Sequence, residues 1–545
     1  MTNKDERSKL VSPPTEQFKQ RESKELILAF SGPVGSGINA VIDKTKEILG
    51  DIGYSIKYLK LSDDIIHLFK SITNDPTKPD IDIDNILKKD RYKTLQSAGN
   101  FIRIKYEEPD ILAQYTIWNI SNDRAKQELD KEGIDGVSNI LPRRRVYIID
   151  QLKHPEEVIL LRTVYGNIFY LIGVLCSHEQ RKKRLEADGL DPSDAEEVME
   201  KDRKDEIEHG QQLDKTLKLA DYFVRNSHSN LKNISYNLKR FYDLIHGKNG
   251  ITPTKHEFNM YVAHAASLKS ACLSRQVGAS IADADGNILT TGCNDAPKGG
   301  GGLYSESDKE RDHRCVFKGG QCHNDFHKHK LEEEIGDIIV QELTERDEKS
   351  SSSPATPIVS GYVISDNNKI RNIASHIAQK VKKTTRLRDL LEFSRSIHAE
   401  MDALISIARQ GGTSVIGCYL YTTTFPCHIC ARHIIAAGIS KVFYIEPYEK
   451  SLALELHDDA IIIDSEEEDT KENKIVQFLH FEGVSPRQFN NLFYSQEDRK
   501  GGDGKVINKS VITSDKIIPQ YLDSYIDFEA KVVAHLNKHN IPLIK

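Results

Sequence analysis

Apolar and polar positions divide the chain into two blocks with the same rhythm. In the first, strand-like runs at Leu26–Phe30, Ser55–Leu59, Val146–Ile149, Phe169–Val174 and Tyr222–Val224 alternate with charged stretches of helical length. Such alternation predicts a parallel sheet flanked by helices. In the second, strands are expected near Val277–Ile281, Ile288–Gly292, Pro357–Ile364, Val415–Tyr421 and Lys441–Ile445. The turn-rich run HGKNGITPT, starting at His246, separates the blocks. Two polar tracts interrupt the second block. Glu345–Thr356 reads as a mobile loop and Asp464–Glu472 as solvated acidic surface. The expected organisation is a polar tail at 1–24, an α/β domain at 25–245 and a linker at 246–255. A second α/β domain at 256–495 follows, with an insertion at about 298–395, then a C-terminal extension at 496–545.

Composition narrows the class. A chain of 545 residues is too long for one core and is expected to form two to four domains. With 38% hydrophobic and 29% charged residues it reads as soluble and globular. No apolar run approaches the ~20 residues of a membrane helix. The first 24 residues have no apolar core, so no signal peptide is visible and a cytoplasmic protein is expected. Its eight cysteines then read as thiols or metal ligands. A net charge of −7 argues against a strong electrostatic grip on nucleic acid.

The chemistry concentrates in Ser396-Ile-His398-Ala-Glu400 and Pro426-Cys427-His-Ile-Cys430. H-x-E followed by P-C-x-x-C is the zinc-deaminase signature. Zn²⁺ takes imidazole and thiolate ligands in a tetrahedron, and a catalytic site keeps the fourth place for water. His398, Cys427 and Cys430 are the expected ligands. A helix starting at Pro426 puts both sulfurs on one face, where the helix N-terminus favours thiolate. Glu400 is the expected proton carrier, since a closed structural zinc site has no use for it. A second cluster, Asp312-His313-Arg-Cys315 and Cys322-His323-Asn-Asp-Phe-His327-Lys-His329, lies in the insertion. Cysteines and histidines this dense predict a structural zinc on Cys315, Cys322 and His327, with His313 or His329 completing it.

The first strand runs into Ser31-Gly-Pro-Val-Gly-Ser-Gly-Ile-Asn-Ala40, which has the glycine spacing of a P-loop. Ile38 and Asn39 replace its lysine and hydroxyl. Gly32, Gly35, Ser36 and Gly37 can still offer backbone N–H groups to phosphate, and Asp150, ending a strand, holds the magnesium-binding position. The expectation is nucleotide binding without phosphoryl transfer.

Residues 256–495 resemble the CMP/dCMP deaminase family. The resemblance rests on the zinc motifs, on LKSACLSRQVGASIADADGNILTTGCNDAPKGG and on Tyr444-Ile-Glu446-Pro-Tyr448. It implies a cytidine-deaminase-like α/β/α sandwich, a second zinc in the insertion, Asn294 at the sugar, Arg275 near the phosphates or pocket, and a homo-oligomer. The segments around Arg143–Asp150, Leu95–Arg103, Arg181 and Arg184 resemble nucleoside monophosphate and dephospho-CoA kinases, which implies a P-loop kinase-like parallel sheet domain. The fusion over 25–495 resembles the antiphage dCTP deaminases. That implies conversion of dCTP and dCMP to uracil nucleotides, a regulatory nucleotide at the P-loop, and an inhibitory RNA or protein. The rivals are a housekeeping dCMP deaminase, a polynucleotide cytidine deaminase and a non-catalytic zinc scaffold. A single tryptophan and 7% aromatics weigh against the polynucleotide editor, which needs stacking aromatics and a basic channel.

Overall fold

The computed structural model describes residues 22–538, apart from 74, 88, 130–142, 204–209, 227–230, 351–366, 412, 449–450, 465–474, 495–498, 501, 504, 508–510 and 512–517. The first sheet holds β1 (Leu26–Ser31), β2 (Ser55–Lys60), β3 (Arg145–Asp150), β4 (Phe169–Leu175) and β5 (Tyr222–Arg225). The second holds β6 (Gly278–Ala282), β7 (Ile288–Cys293), β8 (Tyr419–Thr424), β9 (Lys441–Glu446), β10 (Ile461–Ile463) and β11 (Val476–His480). A short β12 (Gly483–Val484) crosses between them. The helices used below are α1 (Ile38–Asp51), α2 (Ile111–Leu129), α3 (Leu213–Leu217), α4 (Lys255–Ser267), α5 (His323–Ser350), α6 (Asn367–Thr384), α7 (Ala399–Arg409), α8 (His428–Ala437) and α9 (Leu522–Lys538).

The first sheet has the order β12-β5-β4-β1-β3-β2, with β1 to β5 parallel and β12 antiparallel to β5. The second has the order β10-β11-β9-β8-β6-β7. Four of its strands run parallel, and β6 runs antiparallel to β7 and β8. Two glycines seat helices on opposite faces of β6 and β7. A Cβ at Gly278 would lie 1.9 Å from the Ala263 carbonyl of α4, and one at Gly292 would lie 2.2 Å from the Ala399 carbonyl of α7. Residues adjacent along a strand face opposite ways, and Gly278 is next to Ala279, the partner of Gly292. Hence α4 and α7 cover the two faces of this sheet, and α7 brings the H-x-E motif onto one of them.

The two blocks are not joined by a free tether. His246, in the expected linker, is buried and takes the Tyr54 hydroxyl at 2.8 Å. One apolar core contains Ile27, Ile149 and Phe223 of the first sheet together with Tyr421 and Phe443 of the second and Ala263 of α4. From the extension, α9 packs on α2, with Tyr525 and Leu536 in that same core. The tail end is also held, since the Ser23 amide donates to the Gln520 carbonyl at 2.7 Å.

The structure corrects several expectations. Glu345–Ser350 belongs to α5 and not to a loop, in keeping with the strong helix propensity of its Glu and Lys. The remainder of that tract and the expected strand at Pro357–Ile364 lie outside the described residues. Strand β8 starts at Tyr419 because Gly417, at φ 78°, turns the chain first. Asp464 is buried rather than solvated, and its carboxylate accepts from His480 Nδ1 at 2.6 Å. The rest of the acidic run lies outside the described residues.

Candidate active site

His398 is the N-cap of α7, and the Ile397 amide bound to the Asp295 carbonyl at 3.0 Å fixes the approach to it. Cys427 is the N-cap of α8 and Cys430 lies one turn in. Pro426 therefore precedes the cap and is not in the first turn. The Cys430 amide donates to the Cys427 sulfur at 3.4 Å, so the helix end itself stabilises a thiolate. His398 Nδ1 lies 3.2 Å from Cys427 Sγ and 3.4 Å from Cys430 Sγ. The three ligand atoms lie within 4.8 Å of one another. Two buried sulfurs and one imidazole nitrogen, converging beside an open pocket, match zinc in donor type, number and spacing.

The electrostatics fit that use. Hydrogen bonds from Cys430 and then from His398 hold the Cys427 thiol well below the usual thiol range. Sharing that hydrogen with Cys427, together with burial, pushes Cys430 up. The hydrogen bond to Cys427 raises His398. Glu400, in the first turn of α7, is only 4% exposed, and burial raises its carboxyl against the pull of His398. A carboxyl whose pKa is raised from the usual carboxylate range is better matched to moving protons both ways.

His398, Glu400 and Cys427 line a pocket of about 230 Å³. Arg275 and Asn294 line it as well. Asn294 serves the wall: its Oδ1 accepts from the Val277 amide at 2.7 Å and its Nδ2 donates to the Arg275 carbonyl at 2.8 Å. The Arg275 guanidinium sits over the Tyr448 ring at 5.3 Å. Sequence reasoning missed Lys328 and Asn324, which α5 brings to the mouth of the pocket from the insertion. The signal was present in the cluster Cys322–His329, but those residues read as metal ligands.

Cys315, Cys322 and His327 are not drawn together. Cys315 is buried, Cys322 Sγ faces Ser274 Oγ at 3.6 Å, and the His327 ring packs 5.3 Å from Phe393. His313 meets Tyr304 edge-on at 5.5 Å, and His329 Nδ1 lies 3.0 Å from Lys382 Nζ. Because α5 begins at His323, its histidines are spread around a helix. Among the described residues, only His398, Cys427 and Cys430 form a three-ligand group.

In the first block, the Gly32–Asn39 turn joins β1 to α1, with Gly35 at φ 79° and Gly37 at φ 75°. It borders a cleft of about 340 Å³ that also reaches Lys60, Arg91 and Asp150. Ile38 and Asn39 both border the cleft, and Ile38 is otherwise buried in the apolar core of the first block. Asp150 stands opposite Phe30 at the end of β3, and its Oδ2 accepts from the Tyr58 hydroxyl at 2.5 Å. Arg181 and Arg184 hold the loop by donating to the Val34 and Gly35 carbonyls at 2.9 and 3.1 Å.

The second block is thus an α/β domain with a metal centre of the zinc type. Residues 253–446 match the family described as the cytidine and deoxycytidylate deaminase zinc-binding region, and the chain belongs to that family through this segment. A probable deoxycytidylate deaminase of Drosophila melanogaster is 35% identical over 109 residues, 18% of this chain and 52% of that protein. The chain thus spans about half the length of that relative. An uncharacterized deaminase in the luxG 3′ region of Aliivibrio fischeri is 31% identical over 107 residues, 19% of this chain and 67% of the other. The crystal structure of the dCMP deaminase from cyanophage S-TIM5 with dCMP and dUMP aligns over 42% of this chain and 98% of its own, at 18% identity and TM-score 0.21.

Proposed function

We propose that the protein hydrolyses the exocyclic amine of deoxycytidine nucleotides, dCMP and dCTP, to give the deoxyuridine nucleotides and ammonia. One observation carries this reading: the buried Glu400 carboxyl shares a pocket with His398 and Cys427, and Cys430 completes their convergent ligand group. Zinc held by His398, Cys427 and Cys430 supplies the Lewis acidity that lowers the pKa of water toward neutrality. Glu400 takes a proton from the attacking water, delivers it to the ring nitrogen, and then passes a proton to the departing amine. Phe425 and Tyr448 offer aromatic walls for the base, and Arg275 and Lys328 offer charge to the phosphates. Incubating the zinc-loaded protein with each cytosine nucleotide and assaying uracil products tests the reading. Absence of product from all of them rejects it.

Resemblance to antiphage dCTP deaminases supports a role in draining the dCTP pool during phage infection. Turnover of dCTP comparable to that of dCMP, rising on infection, is the expected result. Turnover confined to dCMP and indifferent to infection favours supply of dUMP for thymidylate synthesis.

The first block fits a nucleotide as a bound regulator. Ser36 Oγ, Gln96 Oε1 and Gln211 Oε1 line the cleft, are buried, and have no hydrogen-bond partner. Lys60 and Arg91 bring to the cleft the positive charge that Ile38 lacks, whereas Lys153 is paired with Asp202 at 2.7 Å. A Cβ at Gly35 would lie 2.8 Å from the Arg181 carbonyl, so Gly35→Val should displace the loop. Nucleotide binding measured by calorimetry should fall in that variant; equal affinity rejects this reading.

A further inference from the structure

The wall of the deaminase pocket reaches the first block through one carboxylate. Glu446 ends β9, beside Thr424 of β8, and its backbone carbonyl accepts from the Phe425 amide at 2.7 Å. Thr424 and Phe425 both line the pocket. Among the described residues, two cations stand within 4.0 Å of the Glu446 carboxylate. Lys218, immediately after α3 in the first block, holds Oε2 at 2.6 Å. Arg275, on the pocket wall, stands 4.0 Å from the same oxygen. His264 also feels Glu446, but burial lowers its pKa and keeps it neutral.

The distances decide the outcome. At 2.6 Å, Lys218 makes a charge-assisted hydrogen bond. At 4.0 Å, Arg275 makes none; its guanidinium rests over Tyr448 and its side chain remains 43% exposed. Without the Lys218 charge, Arg275 is the cation left to Glu446 among the described residues, and guanidinium–carboxylate pairs favour two-armed contact. Arg275 would then be drawn to Glu446 and neutralised.

We propose that Lys218 is a positioning residue for nucleotide binding: by occupying Glu446 it leaves Arg275 available to the phosphate of the substrate. This rests on the deaminase reading of the pocket. It also gives the first block a direct hold on the second. The Gln212 amide at the start of α3 bonds the Lys153 carbonyl, and Lys153 Nζ bonds the Gly32 carbonyl of the glycine turn.

The test uses the full-length, zinc-loaded protein, with dCMP and deoxycytidine as probes. Lys218→Met should raise the KM and the calorimetric Kd for dCMP by ~2- to 5-fold, the range of a partly exposed ion pair. The kcat for dCMP and the turnover of deoxycytidine should stay within about twofold, because the phosphate alone is affected. Lys218→Arg should behave as wild type, and adding Glu446→Gln to Lys218→Met should restore dCMP affinity. An unchanged dCMP affinity in Lys218→Met, no recovery in the double variant, or an equal loss with deoxycytidine overturns the proposal. If the wild type binds dCMP but never deaminates it, the functional reading fails alone, and the Kd series still decides the role of Lys218. If it binds no dCMP, both fall.

Discussion

Glu257 grips Arg240 with both carboxylate oxygens, each N–O distance being 2.8 Å. The first residue lies in the opening turn of α4 and the second in the helix Leu231–Ile245 of the other block. The same carboxylate caps α4 by accepting the Thr254 amide and also takes the Val484 amide of β12, each at 2.8 Å. One side chain thereby ties both blocks, the segment between them and the crossing strand. Glu257 is 1% exposed. Glu257→Gln keeps its shape but leaves the Arg240 charge in a largely buried place. A loss of about 3 kcal/mol is expected, as for a buried pair stripped of one partner. A urea midpoint unchanged from wild type would show that the tie is dispensable.

Glu400→Gln should retain zinc and lose deamination by ~10²- to 10⁴-fold, the usual worth of a positioned proton carrier. Metal content and product formation are measured on the same sample. Turnover within about tenfold of wild type would remove Glu400 from the proton path.

Cys427→Ser should lose zinc and activity together, and a chelator should do the same to the wild type. Mass spectrometry of the intact protein under native conditions should find one zinc per chain. Replacing Cys315 and Cys322 with Ser should leave that count unchanged. A wild-type count of two would require the insertion to rearrange and gather those residues.

Asp64 gives a pH signature far from the metal. Burial, with a small push from Asp63, lifts its carboxyl from 3.8 to about 7 against the Asn119 amide. The folded state therefore holds a proton that the unfolded chain releases near pH 4. Stability from this group is full below that value, falls as pH rises toward 7, and is flat beyond. Asp64→Asn should remove the penalty and raise the melting temperature more at pH 8 than at pH 5. An equal effect at both values would place the carboxylate in contact with solvent.

The zinc ligands and Glu400 were legible because their geometry is local: Cys427 caps a helix that Cys430 also occupies, and His398 and Glu400 share the start of another. Strands β1 to β5 were legible because buried parallel strands are short apolar runs. Whether Cys315, Cys322 and His327 converge is set by tertiary packing, because both cysteines precede α5 and His327 lies within it. Strands β10 and β11 escaped notice because the acidic run separates them in sequence. Lys328 was hidden for another reason: only the packing of α5 over the pocket, which is tertiary, gives that lysine its place. The burial of Asp464 likewise depends on His480, a partner sixteen residues away.

Strand β12 has a consequence for the order in which the protein can be made. It completes the edge of a sheet whose other five strands end at Arg225. On a ribosome adding ~5–20 residues per second, some 260 residues separate that edge from its cover, a delay of roughly 13–50 s. Throughout it β5 offers unpaired amides and carbonyls to any passing strand. The first block thus emerges unfinished and becomes whole only after most of the second block has been synthesised. A nascent chain cut short inside the second block leaves behind no complete first block either, so the two halves reach their final form together.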